Sequence, residues 1–139
     1  MSIAIDSLEY EKMLEEAIKE SPKEACGLLA GNILEDGTKK ITKVYILNNI
    51  DESKEHFSLD PKEQLMAIKD MRANGMLPLG NWHSHPATPS RPSEEDIRLA
   101  YDNDAIYMIL SLAEDSPVLN AFYILEGKVT KEILEIIEE

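Results

Sequence analysis

Residues 77–101 read LPLGNWHSHPATPSRPSEEDIRLAY, and three kinds of segment follow one another within them. Leu77 to His85 has strand length and no helical stripe. Ala87 to Pro92 is rich in proline and serine, so its backbone loses donors and is irregular. Ser93 to Tyr101 then reads as a helix, with Ser93 at the capping position and Glu94, Glu95 and Asp96 near the positive end of its dipole. A strand that runs through a loop into a helix belongs to an α/β architecture.

The rest of the chain extends that alternation. Ile3 and Ile5 mark a short strand, and Leu8, Met13, Leu14, Ala17 and Ile18 give a helical stripe that Ser21 and Pro22 interrupt. Glu24 to Leu34 is an apolar strand ending in the turn Glu35-Asp36-Gly37, and Ile41 to Leu47 is its hairpin partner. Asp60, Pro61 and Glu63 start a helix through Leu65, Met66 and Ile68 that stops near Gly75. Ile106 to Leu112 and Val118 to Leu125 read as strands. The final segment, with Ile133, Leu134, Ile136 and Ile137, fits a helical spacing, yet Glu126-Gly127 looks like a hairpin turn that returns the chain as an edge strand, and the strand is the expectation. No repeat or long linker divides the chain, so residues 1–139 are expected to form a single α/β domain, a mixed β-sheet flanked by helices.

Bulk properties narrow the function. The length of 139 residues suffices for one real core, and the net charge of −13 repels phosphate backbones and anionic lipid, so nucleic acid and membrane are not expected partners. No apolar run reaches the roughly 20 residues of a membrane span, and the N-terminus lacks a leader pattern. A cytoplasmic protein is expected, and a homo-oligomer is left open. The single cysteine, Cys26, excludes an internal disulfide and fits a reducing compartment.

Two of the three histidines sit in His83-Ser84-His85, where strand geometry turns both imidazoles to one face, as a first pair of zinc ligands requires. Taken alone, the tripeptide is explained more simply by one buried and one surface histidine. Ser93-x-x-Asp96 is a capping box, and an aspartate in that first turn is also placed to complete a His, His, Asp site with an open fourth position for water. His56 is a rival ligand, read more simply as a solvated loop histidine. Glu24 opens an apolar segment, Glu24-Ala25-Cys26-Gly27-Leu28-Leu29, where an acid is out of place unless it faces a polar site or solvent at a strand end. It is the candidate base for a metal-bound water.

Glu24 upstream, then His83-x-His85, seven residues from Pro86 to Pro92, Ser93, two residues and Asp96 resembles, without departure, the motif of the JAMM metallopeptidase family, also called MPN-plus. The flanking blocks Pro22 to Leu29, Phe57 with Asp60-Pro61, and Gly80 to Pro86 resemble those of its short bacterial and archaeal members, so nearly the whole chain is covered. The resemblance implies a cytidine-deaminase-like α/β fold, Zn2+ on His83, His85 and Asp96, Glu24 as general base, and Ser93 as the hydroxyl that stabilises the oxyanion. Cys26 is then a small buried hydrophobe and not a nucleophile.

That likeness also implies the substrate: the bond after the C-terminal Gly-Gly tail of a ubiquitin-like or sulfur-carrier protein, with a residue such as cysteine attached. Such a tail is expected to add as a strand to an exposed sheet edge, its glycines letting the backbone approach the metal. The alternative is a non-catalytic scaffold of the same fold, against which all five motif residues speak. A nucleoside deaminase would need a P-C-x-x-C that one cysteine cannot supply.

Overall fold

The computed structural model describes residues 2–51 and 57–138. Along the chain run β1 (Ile3–Asp6), α1 (Ser7–Glu20), β2 (Cys26–Ile33), β3 (Lys39–Leu47), α2 (Pro61–Ala73), β4 (Leu77–His85), α3 (Glu94–Leu99), β5 (Ile106–Ser111), β6 (Val118–Leu125), β7 (Lys128–Glu132) and β8 (Leu134–Ile137). The strands make one mixed sheet in the order β7-β6-β5-β4-β2-β3-β1-β8. The expected single-sheet α/β architecture is therefore present.

Local signals explain most boundaries. Asp60 caps α2 by accepting from the Lys62 amide at 2.9 Å, with Pro61 at the first helical position, where its missing amide costs nothing. Glu126 and Gly127 both have positive φ, the backbone of a tight hairpin turn joining β6 to β7. Two strands replace the single edge strand expected at the end. β7 pairs with β6, whereas β8, after only Ile133, pairs parallel with β1 at the other end of the sheet. A flat sheet of this size would separate its edges by about 34 Å at the usual strand spacing, and one residue advances the chain only about 3.8 Å. The sheet must therefore curl until its two edges meet at Ile133, whose carbonyl accepts the Ile3 amide at 2.9 Å.

Other expectations shift by a few residues. β2 begins at Cys26, leaving Glu24 in the extended entry before the ladder. α3 ends at Leu99, short of the expected Tyr101, because Ala100 turns extended and Leu99 and Tyr101 find no core to cover them. His56 lies outside the described residues. β4 sits between β5 and β2 with both backbone edges paired, so a substrate strand cannot pair with β4 itself.

Each face of the sheet has its own packing. On one, Met13 and Ala17 of α1 join Ile3, Ile5, Leu29, Trp82 and others in the main core; on the other, Ala67 and Met71 of α2 cover Ala30. Period-two alternation along β4 sends Trp82 into the main core and His83 and His85 to the opposite face. Trp82 fits because Gly27, its partner across β2, has no side chain, and the indole donates to Tyr45 O at 3.0 Å. A Cβ on Gly27 would collide with that carbonyl and the indole. Gly27→Ala should destabilise the fold by about 3 kcal/mol, the upper range for overpacking. Denaturant unfolding checks this; a loss under 1 kcal/mol would show that β2 and β3 can part freely.

Candidate functional site

The register aligns Leu47, Cys26, His83, Ile109 and Asn120 in one row across five strands, all on the face away from the main core. His83 and His85 rise from the middle of this face, 2% and 5% exposed. Between them Ser84 points the other way, and its hydroxyl accepts the Ala25 amide at 2.8 Å while its own amide donates to Ala25 O at 2.9 Å. That pair of bonds ties the entry of β2 to β4 and brings Glu24 to the histidines.

His83 Nε2 lies 3.1 Å from His85 Nε2 and 3.2 Å from Asp96 Oδ2, and His85 Nε2 lies 3.4 Å from the same oxygen. A tetrahedral ion with bonds of about 2.0–2.1 Å, such as zinc, sets its ligands about 3.3 Å apart. The triangle fits. His85 Nδ1 faces Pro89 O at 2.9 Å, and because a carbonyl can only accept, Nδ1 carries the proton and Nε2 presents a lone pair. His83 Nδ1 is buried without a partner among the described residues, and the Phe57 ring stacks on this imidazole at 4.5 Å.

Asp96 holds two posts at once. Its amide donates to Ser93 Oγ at 3.0 Å and its Oδ2 accepts from the Ser93 amide at 2.8 Å, a full capping box. The same Oδ2 points at both histidines, so the cap fixes the rotamer of the candidate ligand. Burial pushes the Asp96 carboxyl up, but the hydrogen bonds with His83 and His85 outweigh it and hold the group well below the usual carboxylate range. Burial lowers His83, keeping it neutral as a ligand must be. Burial also pulls His85 down, yet Asp96, Pro89 O and the charge of Glu24 reverse that and raise it.

Glu24 is 5% exposed, and burial pushes its carboxyl up to about 8, opposed by the attraction of His85 and reinforced by Asp96. Asn49 Nδ2 donates to Glu24 O at 3.0 Å, and Asn49 Oδ1 also accepts the amides of Asp51 and Ser58, so one side chain ties the Glu24 entry to the loop that carries Phe57. Cys26 is buried, its thiol pushed up to about 12 by burial and donating to Leu47 O at 3.7 Å, which leaves it unreactive. A groove of about 710 Å³ runs beside the cluster, lined by Leu28, Phe57, Ile68 and Leu77 as well as by His83 and Asp96.

All five motif residues thus lie at one place, the three candidate ligands as a tight group and Glu24 and Ser93 beside it. Sequence reasoning missed Ser84, Asn49 and Pro89 O. Asn48-Asn49 marks a turn in the sequence, but a backbone carbonyl has no residue signature.

The family model for prokaryotic homologs of the JAB domain matches residues 9–124. A CysO-cysteine peptidase of Mycobacterium tuberculosis is 32% identical over 91% of this chain and 86% of its own. A protein of Thermus thermophilus named a probable TtuB-protein conjugate cleaving protease is 34% identical over 60% of this chain and 53% of its own. The solution structure of a protein from Desulfitobacterium hafniense is 51% identical, covers 99% of this chain and 94% of that one, and superposes with a TM-score of 0.90.

Proposed function

Because this chain belongs to the family of prokaryotic JAB-domain homologues, we propose that it is a zinc-dependent peptidase that hydrolyses the bond after the C-terminal Gly-Gly tail of a small ubiquitin-like or sulfur-carrier protein. The observation that carries this reading is the convergence of His83, His85 and Asp96 on one point, with the buried acid Glu24 beside them. The relatives' names, a CysO-cysteine peptidase and a probable TtuB-protein conjugate cleaving protease, support a peptidase that cleaves conjugates of such carriers.

Bound by the three side chains, zinc supplies Lewis acidity, polarising a carbonyl and bringing the pKa of a water near neutrality. Glu24 accepts the proton of the attacking water and returns it to the leaving nitrogen. In the metal-free chain burial pushes this carboxyl up to about 8, and a cation held by His83, His85 and Asp96 would lower it toward the carboxylate form that a base requires. Ser93 Oγ already accepts the Asp96 amide, so its own hydrogen is free to donate to the oxygen that gains charge.

Ser93→Ala should therefore lower kcat on the order of a hundredfold, the lower end for loss of an oxyanion donor, with zinc retained. The lost cap costs about 1 kcal/mol of helix stability. Rates are compared at matched folded fraction, and an unchanged kcat would reduce Ser93 to a cap.

With β4 paired on both sides, we place the tail in the groove beside Phe57, where its backbone would pass the metal ligands. Glycines suit that passage because a side chain would hold the backbone away. The test is kcat/KM, by mass spectrometry, for carriers bearing one residue after the tail, varied at the final glycine and at the leaving residue. Replacing the final glycine by valine should abolish turnover, and varying the leaving residue should matter less. Tolerance of valine with strict dependence on the leaving residue would instead support an ordinary small-peptide substrate.

A further inference from the structure

Three successive carbonyls in the loop between β4 and α3 are each taken by a side-chain donor. Ser111 Oγ donates to Thr88 O at 2.6 Å, His85 Nδ1 to Pro89 O at 2.9 Å, and Asn120 Nδ2 to Ser90 O at 3.1 Å. Ser90 Oγ adds a bond to Ile109 O at 2.7 Å. The loop is thus stitched to β5 and β6, strands that hold none of the motif residues.

Register explains why those side chains can reach it. Ser111 pairs with His85, and Asn120 pairs with Ile109, which itself pairs with His83. Paired residues share a face, so Ser111 and Asn120 stand one and two strands away from the histidines on the same side. Ser111 is fully buried, and a hydroxyl is tolerated there only because it is bonded. The residue between the two pinned positions is Pro89, whose carbonyl fixes the proton on His85 Nδ1.

We propose that Ser111 and Asn120 are positioning residues of the metal centre: by pinning Thr88 and Ser90 they hold the Pro89 carbonyl that keeps the His85 Nε2 lone pair turned toward His83 and Asp96. Without them the loop backbone is free to shift, Pro89 O leaves the imidazole, and His85 exchanges tautomers and rotates. The proposal rests on the zinc reading of the three ligands.

The experiment measures zinc affinity by competition with a chromophoric chelator, the His85 ring nitrogens by 1H-15N NMR, and the unfolding midpoint of the metal-free chain. The variants are Ser111→Ala, Ser111→Thr and Asn120→Leu. Zinc affinity should fall tenfold to a hundredfold in Ser111→Ala and Asn120→Leu, the range for loss of an outer-shell partner. His85 should then show mixed tautomers, and the metal-free midpoint should fall by about 4–8 °C, since Asn120→Leu loses one hydrogen bond and Ser111→Ala loses two, to Thr88 O and from the Ala113 amide. Ser111→Thr, which keeps the hydroxyl, should return affinity toward wild type. Wild-type affinity and a single His85 tautomer in Ser111→Ala and Asn120→Leu, with only the midpoint lowered, would make both residues packing elements and overturn the proposal. Should Ser111→Ala fail to fold, the half-buried Asn120 carries the test alone. A wild-type chain that binds no zinc would overturn the zinc reading and the proposal together, whereas zinc bound equally by wild type and variants would overturn the positioning role alone.

Discussion

Glu24→Gln should bind zinc as tightly as the wild type and lose hydrolysis by about two to four orders of magnitude, the range for removing a general base. The amide keeps the shape and the buried position of Glu24, but it cannot accept a proton from water. A second signature separates this variant from a generally damaged protein. In the metal-free chain burial holds the Glu24 carboxyl at about 8, above its ordinary value of 4.5, so the folded state keeps a proton that the unfolded chain releases. That contribution to stability is fully present below pH 4.5 and is lost as the pH rises to about 8, where it levels off. Glutamine has no such titration. The metal-free variant should therefore gain stability relative to wild type as the pH rises from 5 to 8, measured by denaturant midpoints at several pH values. Wild-type turnover in a zinc-loaded Glu24→Gln protein would return Glu24 to the status of a buried acid without a chemical role.

Removal of a ligand should have an equally large effect by another route. His83→Ala and Asp96→Ala should each weaken zinc binding by well over a hundredfold, beyond the range for outer-shell losses, and abolish hydrolysis at any zinc concentration that leaves the protein soluble. The two variants differ in their side effects. His83→Ala leaves Phe57 without the imidazole against which it stacks, whereas Asp96→Ala also removes the acceptor of the Ser93 amide and frays α3. Elemental analysis of the purified proteins gives the result directly: about one zinc per wild-type chain and none in the variants. Stoichiometric zinc in both variants would place the metal elsewhere.

Much of this site is written locally. His83, His85, Ser93 and Asp96 lie within one strand-loop-helix, so strand alternation and a helix cap made each a candidate, although the loop that brings Asp96 to the histidines is held by Ser111 and Asn120 of β5 and β6. Glu24 was less legible, because it comes from far up the chain and is carried to the histidines by the pairing of Cys26 with His83 and the Ser84 bonds to Ala25. Its apolar neighbours flagged an acid out of place, and the family likeness chose between site and solvent. Strand identities followed from alternation and turn residues, with Glu126-Gly127 the plainest case. The strand order did not, because pairing partners are set by contacts distant in sequence, and so the central place of β4 and the crossing from β7 to β8 were not foreseen. α3 fell short for a related reason: a helical run is sustained by burial of its apolar face, and Leu99 and Tyr101 are 60% and 92% exposed. The carbonyls that orient His85 and pin its loop belong to the backbone, which no residue pattern announces.

The most direct test of the whole reading is the intact mass of a ubiquitin-like carrier bearing one cysteine after its Gly-Gly tail, followed during incubation with the wild-type protein as zinc-loaded, chelator-stripped and zinc-restored samples. The zinc-loaded protein should release the cysteine and leave a carrier ending in glycine, the stripped protein should leave the conjugate intact, and restored zinc should return the activity. Equal release by the stripped protein, or an intact conjugate after incubation with folded, zinc-loaded protein, would contradict it.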